Sequence, residues 1–301
     1  MQIRPTVGIA GLGRMGYPIA SNILAATFPT VVWNRSREKA AGLLERAATW
    51  TETPGGLAQA ADVVLTSLAD PVAVESVYFG PEGLLDGARP GMIFVDLSTG
   101  SPTTARRIAV AATERGAAFL DAPVAGSIKA ATEGQLGIMV GGDRAAFERC
   151  VDIFSAIGKA AFYLGESGNG ATMKLVSNAI LGTMVQALAE GVALGEKAGL
   201  ELADIFTVLG ASSAAAPVIA AKATTVTERT YLPAAFTLAL MQKDLWLVRS
   251  LANELQVPMP ATAIAHDMVL AANATGKSGF DFSAVALLME ELAGTREPSP
   301  E

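Results

Sequence analysis

The chain has one cysteine, Cys150, and one histidine, His266, among 301 residues. A single thiol excludes an intrachain disulfide, and a lone imidazole excludes His-rich zinc sites and speaks against a Ser-His-Asp hydrolase. No metal is expected, and proton chemistry falls to another residue type. Charge is scarce too: 17% of residues are charged, and 22 basic against 29 acidic side chains give a formal net charge of −7. With a pI of about 4.9, the chain offers no electrostatic footprint for nucleic acid or an anionic membrane. Mean hydropathy is high at +0.39, yet no uninterrupted run of about 18 apolar residues occurs, so no membrane span is expected. The start lacks the charged, apolar and small-residue regions of a signal peptide, which makes the cytoplasm the expected compartment. What is present is apolar side chain, 51% of the total, enough for one large domain or two ordinary ones.

Up to about residue 165, short β-branched runs alternate with longer helical patterns, the signature of βαβ units feeding a parallel sheet. Strands are predicted over 6–10, 30–34, 63–67, 92–96, 117–121, 136–140 and 161–164. Ser36 reads as the cap of a following helix, and Thr53-Pro54 and Ser101-Pro102 each set a capping hydroxyl before a proline suited to the first helical position. The resulting expectation is α/β: a doubly wound, Rossmann-type parallel sheet over residues 1–165. After Gly165-Glu166-Ser167-Gly168 no further strand pattern appears. Residues 166–301 read as an all-helical domain for substrate and dimerisation, entered by a long central helix from about 169 to 197. Over residues 171–189 Lys174 is the sole charged side chain. A helix so apolar packs between domains or subunits, and a homodimer is the simplest expectation. Residues 296–301 read as a frayed tail.

Directly after the first predicted strand stands Gly11-Leu12-Gly13-Arg14-Met15-Gly16, a G-x-G-x-x-G opening a helix. Gly11 permits the tight turn, Gly13 lets a pyrophosphate approach the backbone, and Gly16 lets helix and strand pack closely. The helix N-terminus adds N–H donors and a positive dipole end for the phosphates. An NAD site normally places Asp or Glu about twenty residues on, to bind the ribose 2′-hydroxyl. Here the second strand ends Trp33-Asn34-Arg35-Ser36, without a carboxylate. A guanidinium and a hydroxyl suit a 2′-phosphate, so NADPH or NADP+ is the expected cofactor.

Three further segments carry chemistry. In 121–127 a strand ending at Asp121 runs into the small-residue loop Ala125-Gly126-Ser127, whose N–H groups and hydroxyl suit a carboxylate; an unliganded glycine loop would read the same way. In 168–178 Lys174 and Asn178 stand at i and i+4 on one helix face. A lysine there is either a proton donor made labile by desolvation or a side chain snorkelling at the helix rim. Lys243-Asp244, inside an apolar helix, reads equally as a surface ion pair.

Taken together, GLGRMG at 11–16, DAPVAGS at 121–127, GNGATMKLVSN at 168–178 and KDL at 243–245 resemble the β-hydroxyacid dehydrogenases, the 3-hydroxyisobutyrate dehydrogenase-like family. The resemblance runs from Val7 to about Ser283. WNRS at 33–36, the segment 231–244 and FDFSAV near 280 look most like the NADPH-dependent glyoxylate/succinic semialdehyde reductase branch. The resemblance implies that Lys174 is catalytic with Asn178 beside it. It implies substrate contacts from Thr99, Ala125, Gly126, Ser127, Phe236 and Asp244. Cofactor contacts are implied for Gly11, Leu12, Gly13, Met15, Gly16, Asn34, Arg35, Ser36, Leu68, Ala69, Thr99 and Lys243. The implied partner is a small carboxylate-bearing aldehyde or its hydroxyacid. One departure is Ala125, where the family usually has serine; losing that donor weakens carboxylate binding by about 1–3 kcal/mol if nothing replaces it.

Rival readings remain within the family. The 3-hydroxyisobutyrate and tartronate semialdehyde branches are near relatives, but the former usually prefers NAD. Imine reductases generally replace the lysine, although Ala125 leaves room for imine side activity. From another class comes a non-catalytic NADPH-binding module, which would be expected to lose Lys174 or its neighbours.

Overall fold

The computed structural model describes residues 4–295, and the chain divides into two units, Met1–Lys174 and Leu175–Glu301. The predicted tail over 296–301 lies outside the described residues. In the first unit the strands are β1 (Val7–Ala10), β2 (Thr30–Trp33), β3 (Thr49–Trp50), β4 (Val63–Thr66), β5 (Ile93–Asp96), β6 (Ala118–Asp121), β7 (Val124–Ala125), β8 (Leu136–Gly142) and β9 (Gly158–Tyr163). Between them run α1 (Gly16–Ala25), α2 (Ala41–Leu44), α3 (Pro54–Ala60), α4 (Pro71–Phe79), α5 (Pro102–Thr113), α6 (Ile128–Thr132), α7 (Arg144–Arg149) and α8 (Val151–Ile157).

The sheet order is β3-β2-β1-β4-β5-β6-β8-β7, with β9 also paired to β8. Alternation explains why this sheet needs helices on both faces. Val7, Ile9, Val63, Leu65, Ile93, Val95 and Leu120 enter one core, while Val31, Val64, Phe94 and Phe119 enter the other. β2 and β4 flank β1 on opposite sides, so the chain reverses its winding at β1. The crevice for a ligand opens beyond the carboxyl ends of β1 and β4.

Six strands, β1 to β6, pair in parallel as the sequence pattern implies. The expectation of parallel pairing throughout fails at one edge: β8 runs antiparallel to β6 and β7. Here Asp121 to Leu136 returns through the short β7 and α6, rather than through a full crossover helix, and a short return reverses strand direction. The two-residue strands β3 and β7 escape a period-2 search because they are too short to show a period. β9 begins three residues earlier than expected, at Gly158. Thr53 and Ser101 cap their helices, accepting from the N–H of Gly56 and Thr103. Ser36 stands at a cap position but makes no side-chain capping bond, because the turn that follows is a 3-10 turn rather than an α-helix.

A single helix, α9 (Asn169–Lys197), begins in the first unit and continues in the second. By length and composition it could cross a membrane, and half of its apolar window is buried within the protein. The second unit adds α10 (Leu202–Ala211), α11 (Pro217–Thr227), α12 (Leu238–Glu254), α13 (Pro260–Ala272) and α14 (Val285–Ala293). Val192, Leu238, Met241, Leu245, Val269 and Val285 build its core. Gly182 permits α9 and α12 to approach, since a Cβ there would lie 2.9 Å from Leu245 Cδ2. A buried ion pair, Lys222 Nζ to Asp281 Oδ2 at 2.8 Å, ties α11 to the segment before α14. Asp281 also accepts from the Ser283 hydroxyl at 2.7 Å, so its second oxygen is satisfied as a buried charge requires.

Candidate active site

The glycine loop lies at the reversal point of the sheet. Gly11 has φ +96, and a Cβ on it would meet the Ser67 carbonyl oxygen at 2.3 Å. A Cβ on Gly16 would lie 1.9 Å from the Gly11 carbonyl oxygen. Both glycines are therefore demanded by the fold itself, packing the loop against the end of β4 and α1 against the loop. Gly13 differs: nothing lies within 4 Å of its would-be Cβ. That open approach to bare backbone fits a pyrophosphate. So does α1, which has no capping side chain and no acidic residue in its first turn, leaving the positive end of its dipole unneutralised by its own first turn.

Asn34 laces this loop together. Its Oδ1 accepts the Leu12 N–H at 2.9 Å and its Nδ2 donates to the Ser36 carbonyl at 2.9 Å. The Leu12 amide is thus committed to Asn34, and Asn34 shapes the loop. Arg35 is exposed and Ser36 half-buried at the end of β2, with Met15 half-buried at the start of α1. Leu68 and Ala69 follow β4. The Leu68 N–H donates to Ser98 Oγ at 2.9 Å, which pins the loop after β4 to the one after β5 that carries Thr99.

The carboxyl edge of β5 and β6 holds two buried acids side by side, since Asp96 and Asp121 are register partners. Asp96 accepts from Thr66 Oγ1 at 2.7 Å and from the Ser98 N–H at 3.1 Å. Thr66 Oγ1 also lies 3.3 Å from the Tyr78 hydroxyl, whose pKa is driven well up by complete burial and by the Asp96 charge. Asp121 accepts the N–H of Gly168 at 2.7 Å and of Ala171 at 2.8 Å, at the opening of α9. Burial pushes its pKa up to about 6, against the opposing pull of those two bonds. Read along the chain, Asp121 is only the end of a strand. The signal that marks it is a carboxylate closing the apolar run Ala-Phe-Leu, where an unpaired charge would be costly.

Beyond β6, Gly126 has φ +144, and a Cβ there would fall 2.8 Å from Leu136 Cδ2. Ser127 is exposed and caps α6, accepting the Ala130 N–H at 3.3 Å, which leaves its hydroxyl hydrogen to donate. Ala125 lies in β7 beside Gly137.

Lys174 is half-buried on α9, and Asn178 follows one turn on. Asn178 is 2% exposed, and its Nδ2 donates to Asp244 Oδ2 at 2.7 Å. Lys243 Nζ sits 2.9 Å from Asp244 Oδ1. Of the two readings that Lys243-Asp244 left open, the surface ion pair falls: Asp244 is buried at 2% exposure, because α12 turns that residue toward α9. Its carboxylate binds Asn178 and Lys243. Phe236 is half-buried and meets the Phe282 ring edge-on, with centroids 5.5 Å apart. Membership of the units is divided: Thr99, Ser127 and Lys174 belong to the first, and Asn178, Phe236, Lys243 and Asp244 to the second. Among the described residues no cluster of three or more His, Cys, Asp or Glu side chains could hold a metal ion.

Comparison with known proteins agrees with this geometry. Residues 6–165 match the model of the NAD binding domain of 6-phosphogluconate dehydrogenase, and residues 168–289 that of the NAD-binding region of NADP-dependent 3-hydroxyisobutyrate dehydrogenase. Glyoxylate/succinic semialdehyde reductase 1 of Arabidopsis thaliana is 38% identical over 279 residues, covering 93% of this chain and 96% of that protein. The chain belongs to the 3-hydroxyisobutyrate dehydrogenase-like family. It is an NAD(P)-dependent oxidoreductase of the β-hydroxyacid dehydrogenase type. A solved structure of Mycobacterium tuberculosis 3-hydroxyisobutyrate dehydrogenase with L-serine superposes with a TM-score of 0.87 at 29% identity, covering 95% of this chain and 99% of that one. The cytokine-like nuclear factor N-PAC of Xenopus tropicalis is 35% identical over 93% of this chain, which spans only 52% of that protein.

Membership gives the glycine loop its purpose. The loop, the bare Gly13 backbone and the uncapped α1 of this dehydrogenase would hold the dinucleotide phosphates. The double-hinged polar lacing by Asn34 and Ser98 keeps the loops after β1, β2, β4 and β5 in register with one another.

Proposed function

We propose that this dehydrogenase reduces a small aldehyde acid, glyoxylate or succinic semialdehyde or a close analogue, with NADPH. The observation that carries the reading is Lys174 at i and Asn178 at i+4 on α9, with Asn178 held at 2.7 Å by the buried Asp244. When bound, NADPH supplies the hydride. Lys174 gives its proton to the oxygen that gains charge, and its ammonium stabilises that oxygen electrostatically, an effect worth several kcal/mol, roughly, where water is excluded. Asn178, unable to rotate while its amide donates to Asp244, orients the lysine or the substrate oxygen. Gly126 N–H and the Ser127 hydroxyl bind the acid end. Arg35 and Ser36 select the 2′-phosphate, supported by the missing carboxylate after β2 and by the likeness to a reductase of glyoxylate and succinic semialdehyde.

The decisive experiment measures NADPH oxidation with glyoxylate and with succinic, tartronic and methylmalonic semialdehydes, for the wild type and Lys174→Ala. The variant loses turnover by at least a thousandfold, roughly, while NADPH still binds; near-normal turnover would refute the assignment. A non-catalytic NADPH-binding module would bind the cofactor in both forms and consume it in neither. We place the protein in the cytoplasm as a homodimer associated through the apolar exposed stripe of α9, which includes Met173, Val176, Ile180 and Leu194. Light scattering that finds a monomer at micromolar concentration removes that assembly.

A further inference from the structure

We propose that Asp121 is a positioning residue for Lys174, holding the first turn of α9 on the sheet and so setting where the amine stands. The inference rests on the reading of Lys174 as proton donor and deepens it. Two oxygens of one carboxylate accept two backbone N–H groups of the same helix opening, Gly168 at 2.7 Å and Ala171 at 2.8 Å. These are donors that a helix start leaves without intrahelical partners. Lys174 follows three residues after Ala171, about 4.5 Å along the axis and on the same side of the helix. A shift of the first turn therefore moves the amine with it.

Packing shows that the join is close. A Cβ on Gly170 would lie 2.3 Å from the Asp121 carbonyl oxygen and 2.4 Å from the Met139 carbonyl oxygen. A Cβ on Gly141 would lie 2.9 Å from Asp121 Oδ1 and 2.8 Å from the Gly170 nitrogen. Glycine on both sides lets the end of α9 descend onto the backbones of β6 and β8, and the Asp121 carboxylate fills the space that remains. The two glycines and the acid thus form one joint, and the GNG of 168–170 has a mechanical reason besides chain flexibility.

Charge gives the joint a second effect. The carboxylate opposes the positive end of the α9 dipole, which otherwise bears on an ammonium one turn away. The other charged groups around it are Asp96 on β5, which raises its proton affinity, Arg106 on α5, whose guanidinium lies against Gly168, and Glu166 in the turn before α9. With Asp121→Asn, one N–H loses its acceptor and a negative charge leaves the neighbourhood of Lys174.

The test uses the full-length enzyme with saturating NADPH and varied aldehyde across pH 5 to 10, comparing kcat and kcat/KM of wild type, Asp121→Asn and Lys174→Ala. Asp121→Asn is expected to lower kcat by tenfold or more, roughly, with NADPH affinity unchanged, and to move the alkaline limb of kcat/KM down by about one pH unit. Loss of structure alone lowers the amount of active enzyme but does not move that limb. If Asp121→Asn keeps kcat within about twofold and its alkaline limb coincides with the wild type, the positioning role is overturned. It is equally overturned if kcat falls with no shift of the limb. Lys174→Ala separates the two readings: full activity in that variant condemns the proton-donor assignment, whereas an inactive Lys174→Ala beside a normal Asp121→Asn condemns only the joint.

Discussion

Removing the Asp244 carboxylate is the sharpest energetic test of the second unit. In Asp244→Ala the Asn178 amide, 2% exposed, loses the acceptor at 2.7 Å, and a buried donor left unmade costs about 1–3 kcal/mol. Lys243, whose side chain is 21% exposed, loses its counter-charge; water reaches it in part, so this adds about 1 kcal/mol. The emptied carboxyl volume beside Leu245 and Met241 contributes about 1 kcal/mol more. The sum, about 3–5 kcal/mol, matches the cost of stripping one partner from a buried polar pair. Asp244→Asn keeps the shape and one acceptor, so it should cost about half as much or less. The three tryptophans make this measurable by unit: Trp33 and Trp50 lie in the first unit and Trp246 in the second. Urea unfolding followed by fluorescence in a Trp33→Phe, Trp50→Phe background therefore reports the second unit, two residues from the mutated site. An Asp244→Ala variant within about 0.5 kcal/mol of its parent would show that the carboxylate holds neither neighbour, and the reasoning would fall.

Other outcomes follow from the same contacts. Asp121 has a folded-state pKa of about 6 against an ordinary 3.8; an acid raised in this way binds its proton more tightly when folded. Its contribution thus favours the fold below about pH 4 and is lost as pH rises through about 6, by about 3 kcal/mol in all. The stability of Asp121→Asn relative to wild type should accordingly rise by about that much between pH 4 and pH 7 in chemical denaturation, and a flat difference would contradict the burial argument. Gly170→Ala forces a methyl group against two carbonyl oxygens and should cost about 3 kcal/mol or more, seen as a lowered melting temperature or loss of soluble protein. Arg35→Glu should weaken NADPH at least tenfold, roughly, and leave NADH little changed; equal loss for both cofactors would place Arg35 away from the 2′-phosphate.

Much of the fold and part of the site could be read from residues in order. Alternating Val, Ile and Leu runs announced the strands that build both faces of the sheet, because side chains one residue apart point to opposite sides. Gly11, Gly13 and Gly16 announced the dinucleotide loop, because backbone freedom and close approach are properties of a residue without a Cβ. Lys174 stood out as the lone charge on an apolar helix. Less could be read wherever a partner lies far away along the chain. Ser36 looked like a cap and caps nothing. Asn34, which the family resemblance sets among the cofactor contacts, also closes a hydrogen bond back to Leu12 that no local pattern records. Lys243-Asp244 read equally well as a surface pair because nothing near it in the chain records the packing of α12 on α9, and Asp121 read only as a strand end because its donors lie at the opening of α9.

Local pattern alone thus determined which segments become strands and helices, where the glycine turn falls and which lysine stands isolated, since each depends on the period or backbone freedom of neighbouring residues. Tertiary structure alone decided which polar groups are paired: Asp121 with Gly168 and Ala171, Asp244 with Asn178, Lys222 with Asp281. Partners in these bonds lie between 47 and 66 residues apart. What a buried charge costs or contributes is set by the donors that folding brings to it, and no linear spacing records them.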